Sequence, residues 1–183
     1  MNMKRILAGV AVAAVAAGGG ILAGHYANSG NTGLADAASV AGKPNAVGQL
    51  WTAAVTTPDG KPQSLSMYKG RTIVINFWAS WCGPCVEEMP ELSALQREYA
   101  RKGIQFVGLG VDSAANIQNF LKKVPVDYPI YIAGFGGADV ARAFGNAAGG
   151  LPYTVVIDAN GTVRATKLGQ IKMGELRHTL DTL

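Results

Sequence analysis

The chain has 183 residues, of which 49% are hydrophobic and 15% charged, and its formal net charge is +4 at pH 7. This length suits one globular domain with an extension. The basic residues form no cluster of the kind that binds nucleic acid, so no nucleic-acid partner is expected.

Residues 1–27 are predicted to be a signal peptide or an N-terminal membrane anchor. Lys4 and Arg5 form a basic head, and residues 6–24 contain no charge. That length is close to the roughly 20 apolar residues that span a bilayer, and the basic head should stay in the cytoplasm. Residues 35–37, Ala-Asp-Ala, fit a small-x-small cleavage pattern, so a cleaved signal and an uncleaved anchor both stay open. Either one sends the domain across the membrane.

Residues 28–47 are rich in Gly, Asn, Ser, Thr and Ala, which predicts a flexible linker. A folded domain is predicted over residues 48–183. It should begin with a strand pair formed by residues 49–53 and the stretch through residues 65–68, with a turn at residues 58–60, Pro-Asp-Gly. Trp51 is expected to anchor its core.

The two cysteines of the chain, Cys82 and Cys85, are separated by a Gly-Pro dipeptide. Residues 71–78 before them are β-branched and aromatic, which predicts a buried strand. From Pro84 onward, apolar residues recur at spacings of three and four, which predicts a helix. A second apolar strand is predicted at residues 104–111. The cysteines therefore lie at a strand-to-helix junction, the context in which Cys-x-x-Cys indicates redox chemistry.

A disulfide between these cysteines closes a very short loop and constrains the unfolded chain little, so it is expected to serve chemistry rather than stability. Cys82 should lie at a helix N-terminus, where unpaired N–H groups and the helix dipole favour a thiolate. We therefore predict that Cys82 attacks a partner disulfide and that Cys85 resolves the mixed disulfide. Pro84 suits the first helical turn, whereas Pro90 should kink the helix.

Other interpretations of the cysteine pair have less support. A zinc site needs four ligands, and the only histidines, His25 and His178, are remote in sequence. Haem attachment needs a histidine directly after the second cysteine, where this chain has Val86. A copper(I)-binding assembly module fits two thiolates, and a peroxidase would lack a separate peroxidatic cysteine. We expect no metal and no cofactor beyond the redox-active disulfide itself.

Residues 77–85, Phe-Trp-Ala-Ser-Trp-Cys-Gly-Pro-Cys, resemble the active-site segment of thioredoxin. A closer resemblance is to the TlpA/ResA-like thiol-disulfide oxidoreductases of bacterial envelopes. It is carried by Glu88 and Pro90 in a Cys-x-x-Glu-x-Pro pattern, by Asn76, and by the Gly-Leu-Pro strand at residues 150–158. The resemblance covers residues 48–183 and implies an α/β, thioredoxin-like fold. Such a fold has a central mixed β-sheet flanked by helices, here with an N-terminal strand pair and a central helix–strand insertion.

The resemblance also implies a substrate-binding surface. The Leu151–Pro152 bond should be cis and lie against the cysteines, with the backbone beside it pairing with an extended substrate. Trp81 is expected to form a lid and contact surface beside Cys82, and Trp78 to pack in the core. Tyr153 should shape the groove or cover the sulfurs. The expected substrate-binding residues are Trp81, Gly83, Pro84, Leu151, Pro152 and Tyr153.

Glu88 completes the expected catalytic set with Cys82 and Cys85. It lies three residues after Cys85, on the same helical face, and the family position implies that it tunes thiol protonation. A carboxylate there could take the proton from Cys85. The alternative is a solvated helix glutamate like Glu87.

The function implied by the resemblance is that of a periplasmic reductant of exported proteins with disulfides. It would need a transmembrane electron donor, and the inner membrane would hold it if the N-terminal segment is uncleaved. Cytochrome c maturation and cytochrome oxidase assembly are the family's usual client pathways. A disulfide oxidase or isomerase on the same scaffold stays open, because the Gly-Pro dipeptide does not fix the reduction potential.

Overall fold

In a computed structural model of the protein, the described residues are 35–36 and 45–183. The predicted signal or anchor at residues 1–27 lies outside them, as does His25. The predicted linker is described only at Ala35–Asp36 and from Asn45 onward. No helix among the described residues is long and apolar enough to cross a membrane.

Eight strands form one mixed sheet with the order β1-β8-β7-β4-β5-β6-β2-β3. The strands are β1 Ala35–Asp36, β2 Val55–Thr56, β3 Pro62–Gln63, β4 Ile73–Trp78, β5 Gln105–Gly110, β6 Ile130–Ile132, β7 Tyr153–Ile157 and β8 Val163–Leu168. Strand β4 is central, because it pairs in parallel with β5 and antiparallel with β7. Strands β7 and β8 form a closing hairpin, and the predicted insertion is the helix Ala114–Leu121 followed by β6, which pairs in parallel with β5.

Helices cover both faces of the sheet and create two cores. They are α1 Ala46–Thr52, α2 Gly83–Tyr99, α3 Ala114–Leu121, α4 Gly136–Ala143 and α5 Met173–Asp181. The first core packs α2, α3 and α5 against one sheet face and includes Trp78, Cys82, Cys85, Met89 and Leu92. The second core packs α1 and α4 against the other face and includes Leu50, Phe77, Leu109, Phe144 and Tyr153. The fold class predicted from the sequence is confirmed.

The beginning of the domain differs from the expectation. The predicted strand over residues 49–53 is wrong, because Ala46–Thr52 forms helix α1. Ala46 and Leu50 are four residues apart, so a helix lets both enter the second core. A strand pair exists, but it joins β2 and β3, and Leu65–Tyr68 forms a 3₁₀ helix instead of the predicted strand. Trp51 packs against the second core from a half-buried position.

Helix α2 runs through Pro90 to Tyr99, so the exposed proline does not end it. The helix continues as a short 3₁₀ turn, Ala100–Lys102, and Gly103 then reverses the chain with a φ of 79°. This conformation suits glycine, which lacks the Cβ that makes positive φ costly. Gly103 thus ends the helical segment before β5.

The Leu92 side chain, fully buried between α2 and the sheet, tests the first core. Leu92→Ala should lower the free energy of unfolding by about 2–5 kcal/mol, because it leaves a cavity. Leu168→Ala is the matched control, since Leu168 is exposed, and it should cost much less. Urea denaturation of both oxidised variants measures the difference. Equal losses would contradict this description of the core.

Candidate active site at the start of helix α2

Cys82 and Cys85 form a disulfide with an S–S distance of 2.06 Å and a Cα–Cα distance of 5.3 Å. Strand β4 ends at Trp78, a short loop follows, and Cys82 occupies the position directly before the first residue of helix α2. Cys85 is fully buried, whereas Cys82 is 6% exposed. Cys82 is therefore the more exposed cysteine of the pair, and its role as the attacking sulfur stays a prediction.

The first turn of α2 is arranged to favour negative charge. Cys82 has an extended backbone, and no side chain caps the helix. The turn contains no acidic residue, and Pro84 occupies a position whose N–H would be unpaired in any case. The free N–H groups and the helix dipole therefore act on the Cys82 sulfur and favour its thiolate form after reduction.

Asp112 holds the loop that leads to the cysteines. Its carboxylate accepts hydrogen bonds from the Ser80 backbone N–H at 3.2 Å and the Ser80 hydroxyl at 2.5 Å. Burial acts to raise the pKa of Asp112, but hydrogen bonds from Ser80, Asn116 and Ser113 outweigh burial and lower it. A charged Asp112 thus fixes Ser80 two residues before Cys82. Sequence reasoning missed this residue, although its place directly after the second strand of the β-α-β unit was a usable signal.

The two tryptophans near the motif have opposite surroundings. Trp78 is fully buried in the first core, where its ring lies 5.1 Å from that of Phe120, as expected for a core residue. Trp81 is 70% exposed beside Cys82, and Gly83 and Pro84 are also exposed. This exposure is what a contact surface around Cys82 requires.

The Leu151–Pro152 peptide bond is cis, as the resemblance implied. Tyr153 pairs with Phe77 of β4, so Pro152 lies beside the end of β4, where the chain turns toward Cys82. Leu151 packs against the core that contains both cysteines. Among the described residues, nothing forms a hydrogen bond with the backbone N–H or carbonyl of Leu151. Such a backbone can pair with an added extended chain.

Tyr153 does not occupy the expected place. Its side chain enters the second core, its ring lies 6.1 Å from that of Phe77, and its hydroxyl donates to the Phe144 carbonyl at 2.7 Å. Because side chains alternate along a strand, Thr154 is the residue of β7 that faces the cysteine side. The expectation that Tyr153 shapes a groove or covers the sulfurs is therefore wrong for its side chain.

Glu88 is buried under the cysteine turn, with 1% of its surface exposed. Its Oε1 accepts a hydrogen bond from Asn76 Nδ2 at 2.7 Å, and its Oε2 accepts one from the Ile171 backbone N–H at 3.0 Å. Burial raises the pKa of Glu88 to about 7, with the two hydrogen bonds opposing that rise. The alternative of a solvated glutamate is wrong. This carboxyl group can gain or lose a proton near neutral pH.

Two further residues surround Glu88 that sequence reasoning did not single out, Thr154 and Ile171. The Thr154 hydroxyl accepts a second hydrogen bond from Asn76 Nδ2 at 3.1 Å. Ile171 precedes α5 and is 83 residues away from Glu88 along the chain. No local pattern in the sequence indicates either contact, because both depend on tertiary packing.

His178 lies exposed on α5, as expected for a surface residue. Across residues 35–36 and 45–183, no group of three or more His, Cys, Asp or Glu side chains could hold a metal ion.

Comparisons with known proteins agree with this geometry. The sequence model of the Redoxin family matches residues 42–183. The thiol-disulfide oxidoreductase ResA of Bacillus thuringiensis is 33% identical over 110 residues, which cover 60% of this chain and 61% of that protein. The thioredoxin-like protein YneN of Bacillus subtilis is 32% identical over 130 residues, 68% of this chain and 72% of YneN. The match with ResA thus spans about three-fifths of its length.

Solved structures share the fold. A structure from Chlorobium tepidum, described as that of a DsbE-type thiol:disulfide interchange protein, superposes with a TM-score of 0.63 at 29% identity, covering 70% of this chain and 90% of that one. A thioredoxin-related protein from Neisseria meningitidis gives a TM-score of 0.61 at 36% identity, covering 70% and 96%. With the family match over residues 42–183, these similarities show that the chain belongs to the Redoxin family and has ResA-like relatives.

Proposed function

We propose that the protein is a thiol-disulfide oxidoreductase that reduces disulfides in exported proteins. The observation that carries this proposal is the Cys82–Cys85 disulfide at the start of α2, beside a cis Pro152 whose neighbour Leu151 has an unpaired backbone. Relatives named thiol-disulfide oxidoreductase support the same chemistry.

The reaction begins with the reduced pair. The Cys82 thiolate attacks a client disulfide, so a Cys82–client bond forms as the client's bond breaks and its other sulfur leaves as a thiolate. Cys85 then gives up its proton and attacks Cys82, which restores the Cys82–Cys85 disulfide and releases the second client sulfur. Two electrons pass from the cysteine pair to the client, whose sulfurs leave as thiols after protonation.

Glu88 is the proposed proton acceptor for Cys85. It lies one helical turn from Cys85 on the same helical face, and its pKa of about 7 lets it accept a proton near neutral pH. The neighbouring Glu87 is exposed to solvent, unlike the buried Glu88, and we assign it no role in this proton transfer. The buried acid thereby supplies a base at the sulfur that must lose a proton without contact with bulk water.

An extended protein segment is the proposed substrate, because exposed apolar side chains lie along the sheet edge where β4 leads to the cysteines. Parallel strands β4, β5 and β6 end at the same side of the sheet, and Trp81 and Phe135 follow two of these ends. They are 70% and 88% exposed, and Leu168 of β8 is 50% exposed. A Cβ atom at Gly150 would lie 3.0 Å from Leu168, so Leu168 flanks the Leu151–Pro152 segment. We call Trp81, Phe135 and Leu168 the apolar rim.

The direction of electron flow and the compartment follow from the same proposal. A reductant outside the cytoplasm, in the periplasm, would be re-reduced by a transmembrane electron donor. Cytochrome c maturation or cytochrome oxidase assembly would supply clients of the right kind. If the N-terminal segment is uncleaved, it would keep the enzyme at the inner membrane.

The reduction potential of Cys82/Cys85 tests the direction. Equilibrated against a dithiol buffer, the pair should have a potential near the approximately −270 mV of thioredoxin. A value near the approximately −120 mV of the strong oxidant DsbA would instead make the protein a disulfide donor.

The roles of the two cysteines are tested by single substitutions. Cys85→Ser should accumulate a mixed disulfide through Cys82, whereas Cys82→Ser should lose reductase activity and form no such adduct.

The stability of the oxidised protein should depend on Glu88 between about pH 4.5 and 7. Its folded pKa of about 7 lies above the ordinary 4.5, so the folded state keeps this proton longer and stability falls as pH rises through that window. The loss should reach about 3 kcal/mol. Glu88→Gln stays neutral, so its stability relative to the wild type should increase from pH 4 to pH 8. Glu87→Gln is the matched control and should show no such trend in urea denaturation.

Phe135 tests the protein-substrate proposal. Phe135→Ser should lower kcat/KM for reduction of insulin by about five- to thirty-fold, since an exposed aromatic contact is lost. Reduction of oxidised glutathione, which is too small to reach the whole apolar rim, should be unaffected. Met67→Ser is the control, because Met67 is 57% exposed but precedes the opposite end of β4. Equal losses for insulin and glutathione would argue against a client-binding role for Phe135.

A further inference from the structure

In the side-chain amide of Asn76, the nitrogen makes two hydrogen bonds and the oxygen makes none within the part of the chain that the structure describes. Its Nδ2 donates to Glu88 Oε1 at 2.7 Å and to Thr154 Oγ1 at 3.1 Å, which uses both of its hydrogens. Its Oδ1 is buried and has no hydrogen-bond partner among the described residues. Asn76 itself is 2% exposed and Thr154 is fully buried. A buried amide oxygen without a partner is costly and needs a physical explanation.

The contacts of Glu88 suit only its charged form. Both carboxylate oxygens face donors, Asn76 Nδ2 and the Ile171 N–H. When the carboxyl group gains a proton, one oxygen becomes a donor and needs an acceptor. The Ile171 N–H can never accept, so the proton is best placed on Oε1, opposite Asn76.

We propose that Asn76 is a positioning residue whose amide turns over when Glu88 gains a proton, so that both forms of the carboxyl group keep a hydrogen-bond partner. After a half-turn of the amide, Oδ1 accepts from the new O–H of Glu88. The Thr154 hydroxyl, which can donate or accept, then donates to the same Oδ1. Because Oδ1 makes no hydrogen bond in the charged form, the turn breaks no bond on that side. It does place the Nδ2 hydrogens where Oδ1 stood, and the new hydrogen bonds from Glu88 and Thr154 to Oδ1 must offset the cost of leaving those hydrogens unpaired.

This inference rests on the proposed exchange of a proton between Cys85 and Glu88. It adds a reason for asparagine at position 76. An apolar side chain would leave both forms of Glu88 without this partner. An aspartate would place a second negative charge beside the first and split the titration of the two acids.

Few other groups around Glu88 can change charge near neutral pH. Glu91 follows on α2, and its negative charge contributes to raising the pKa of Glu88. Tyr128, from the segment before β6, also interacts with Glu88, but burial and then the charge of Glu88 raise the pKa of Tyr128 far above neutral. Strands β4 and β7 contribute the neutral Asn76 and Thr154. The segment before α5 contributes the Ile171 N–H, followed by Lys172, whose ammonium group pairs with Glu175.

NMR titration of the isotopically labelled, oxidised protein tests whether the Asn76 amide responds to protonation of Glu88. The side-chain amide resonances of Asn76 should shift between pH 5 and 9 with the same midpoint as the Glu88 carboxyl carbon. In Glu88→Gln the Asn76 resonances should not titrate in that range. Asn76 resonances that stay unchanged in the wild type while Glu88 titrates would overturn the proposal, and this test needs no variant at position 76.

Asn76→Leu provides the second test. The variant loses the charge-assisted hydrogen bond, so the Glu88 midpoint should rise by about one pH unit. The step in which Cys85 resolves the mixed disulfide should be about ten-fold slower at pH 6, and its pH profile should move by the same amount. Asn146→Leu is the matched control: Asn146 is equally buried and its Oδ1 also lacks a partner, but its amide donates to the Gly150 carbonyl. It should leave the Glu88 midpoint unchanged.

The proton-acceptor role of Glu88 and the positioning role of Asn76 are contradicted by different results. If Glu88→Gln leaves the pH profile of the resolving step unchanged, Glu88 is not the proton acceptor and the proposed mechanism is wrong at that point. If Glu88→Gln alters the profile while Asn76→Leu leaves both the profile and the Glu88 midpoint in place, the acid role stands and the positioning role of Asn76 is overturned.

Discussion

Strand β4 is the constraint on which the active site depends. Its six residues are all buried, and it pairs with β5 on one side and β7 on the other. Its end leads into the loop that places Cys82 at the start of α2. Its Phe77 pairs with Tyr153 and so fixes Pro152 beside that loop. Its Asn76 reaches across the first core to Glu88. The disulfide, the cis proline and the buried acid thus share one rigid support.

The burial of Glu88 is unfavourable for stability, which is why its presence needs a functional explanation. A carboxyl group taken out of water costs free energy unless it is neutral or well hydrogen-bonded. Asn76 and Ile171 each donate to it, yet its pKa still rises to about 7, because burial outweighs both hydrogen bonds. An apolar residue would fill the same space without that cost. Perturbed acids of this kind cluster at functional sites.

The strand–helix–strand unit around the cysteines could be predicted because its signals are local. The apolar run of β4, the helical spacing of α2 and the cysteine spacing are each visible within a few residues. Helix α1 was missed because a seven-residue helix that buries only Ala46 and Leu50 has a weak pattern. The fold and the cis bond at Pro152 came from the resemblance, since no local pattern specifies either.

The contacts that define the environment of Glu88 could not be predicted from local patterns. Whether Tyr153 or Thr154 faces the cysteines depends on the register of β7 against β4, and a shift of one residue exchanges the two faces. The hydrogen bond from Ile171 joins residues 83 positions apart, and Asp112 reaches Ser80 across two strand ends. Such pairings are set by how the layers pack.

On the proposed mechanism, the two sulfurs need opposite environments. Cys82 must be ionised to attack, and the uncapped N-terminus of α2 favours its thiolate. Cys85 is fully buried one turn further along, where low polarity and the negative form of Glu88 both disfavour a second thiolate. Cys85 therefore keeps its proton until the mixed disulfide has formed. Transfer of that proton to Glu88 then removes the negative charge that opposed the Cys85 thiolate, so the acid that holds back the resolving sulfur is also the group that releases it.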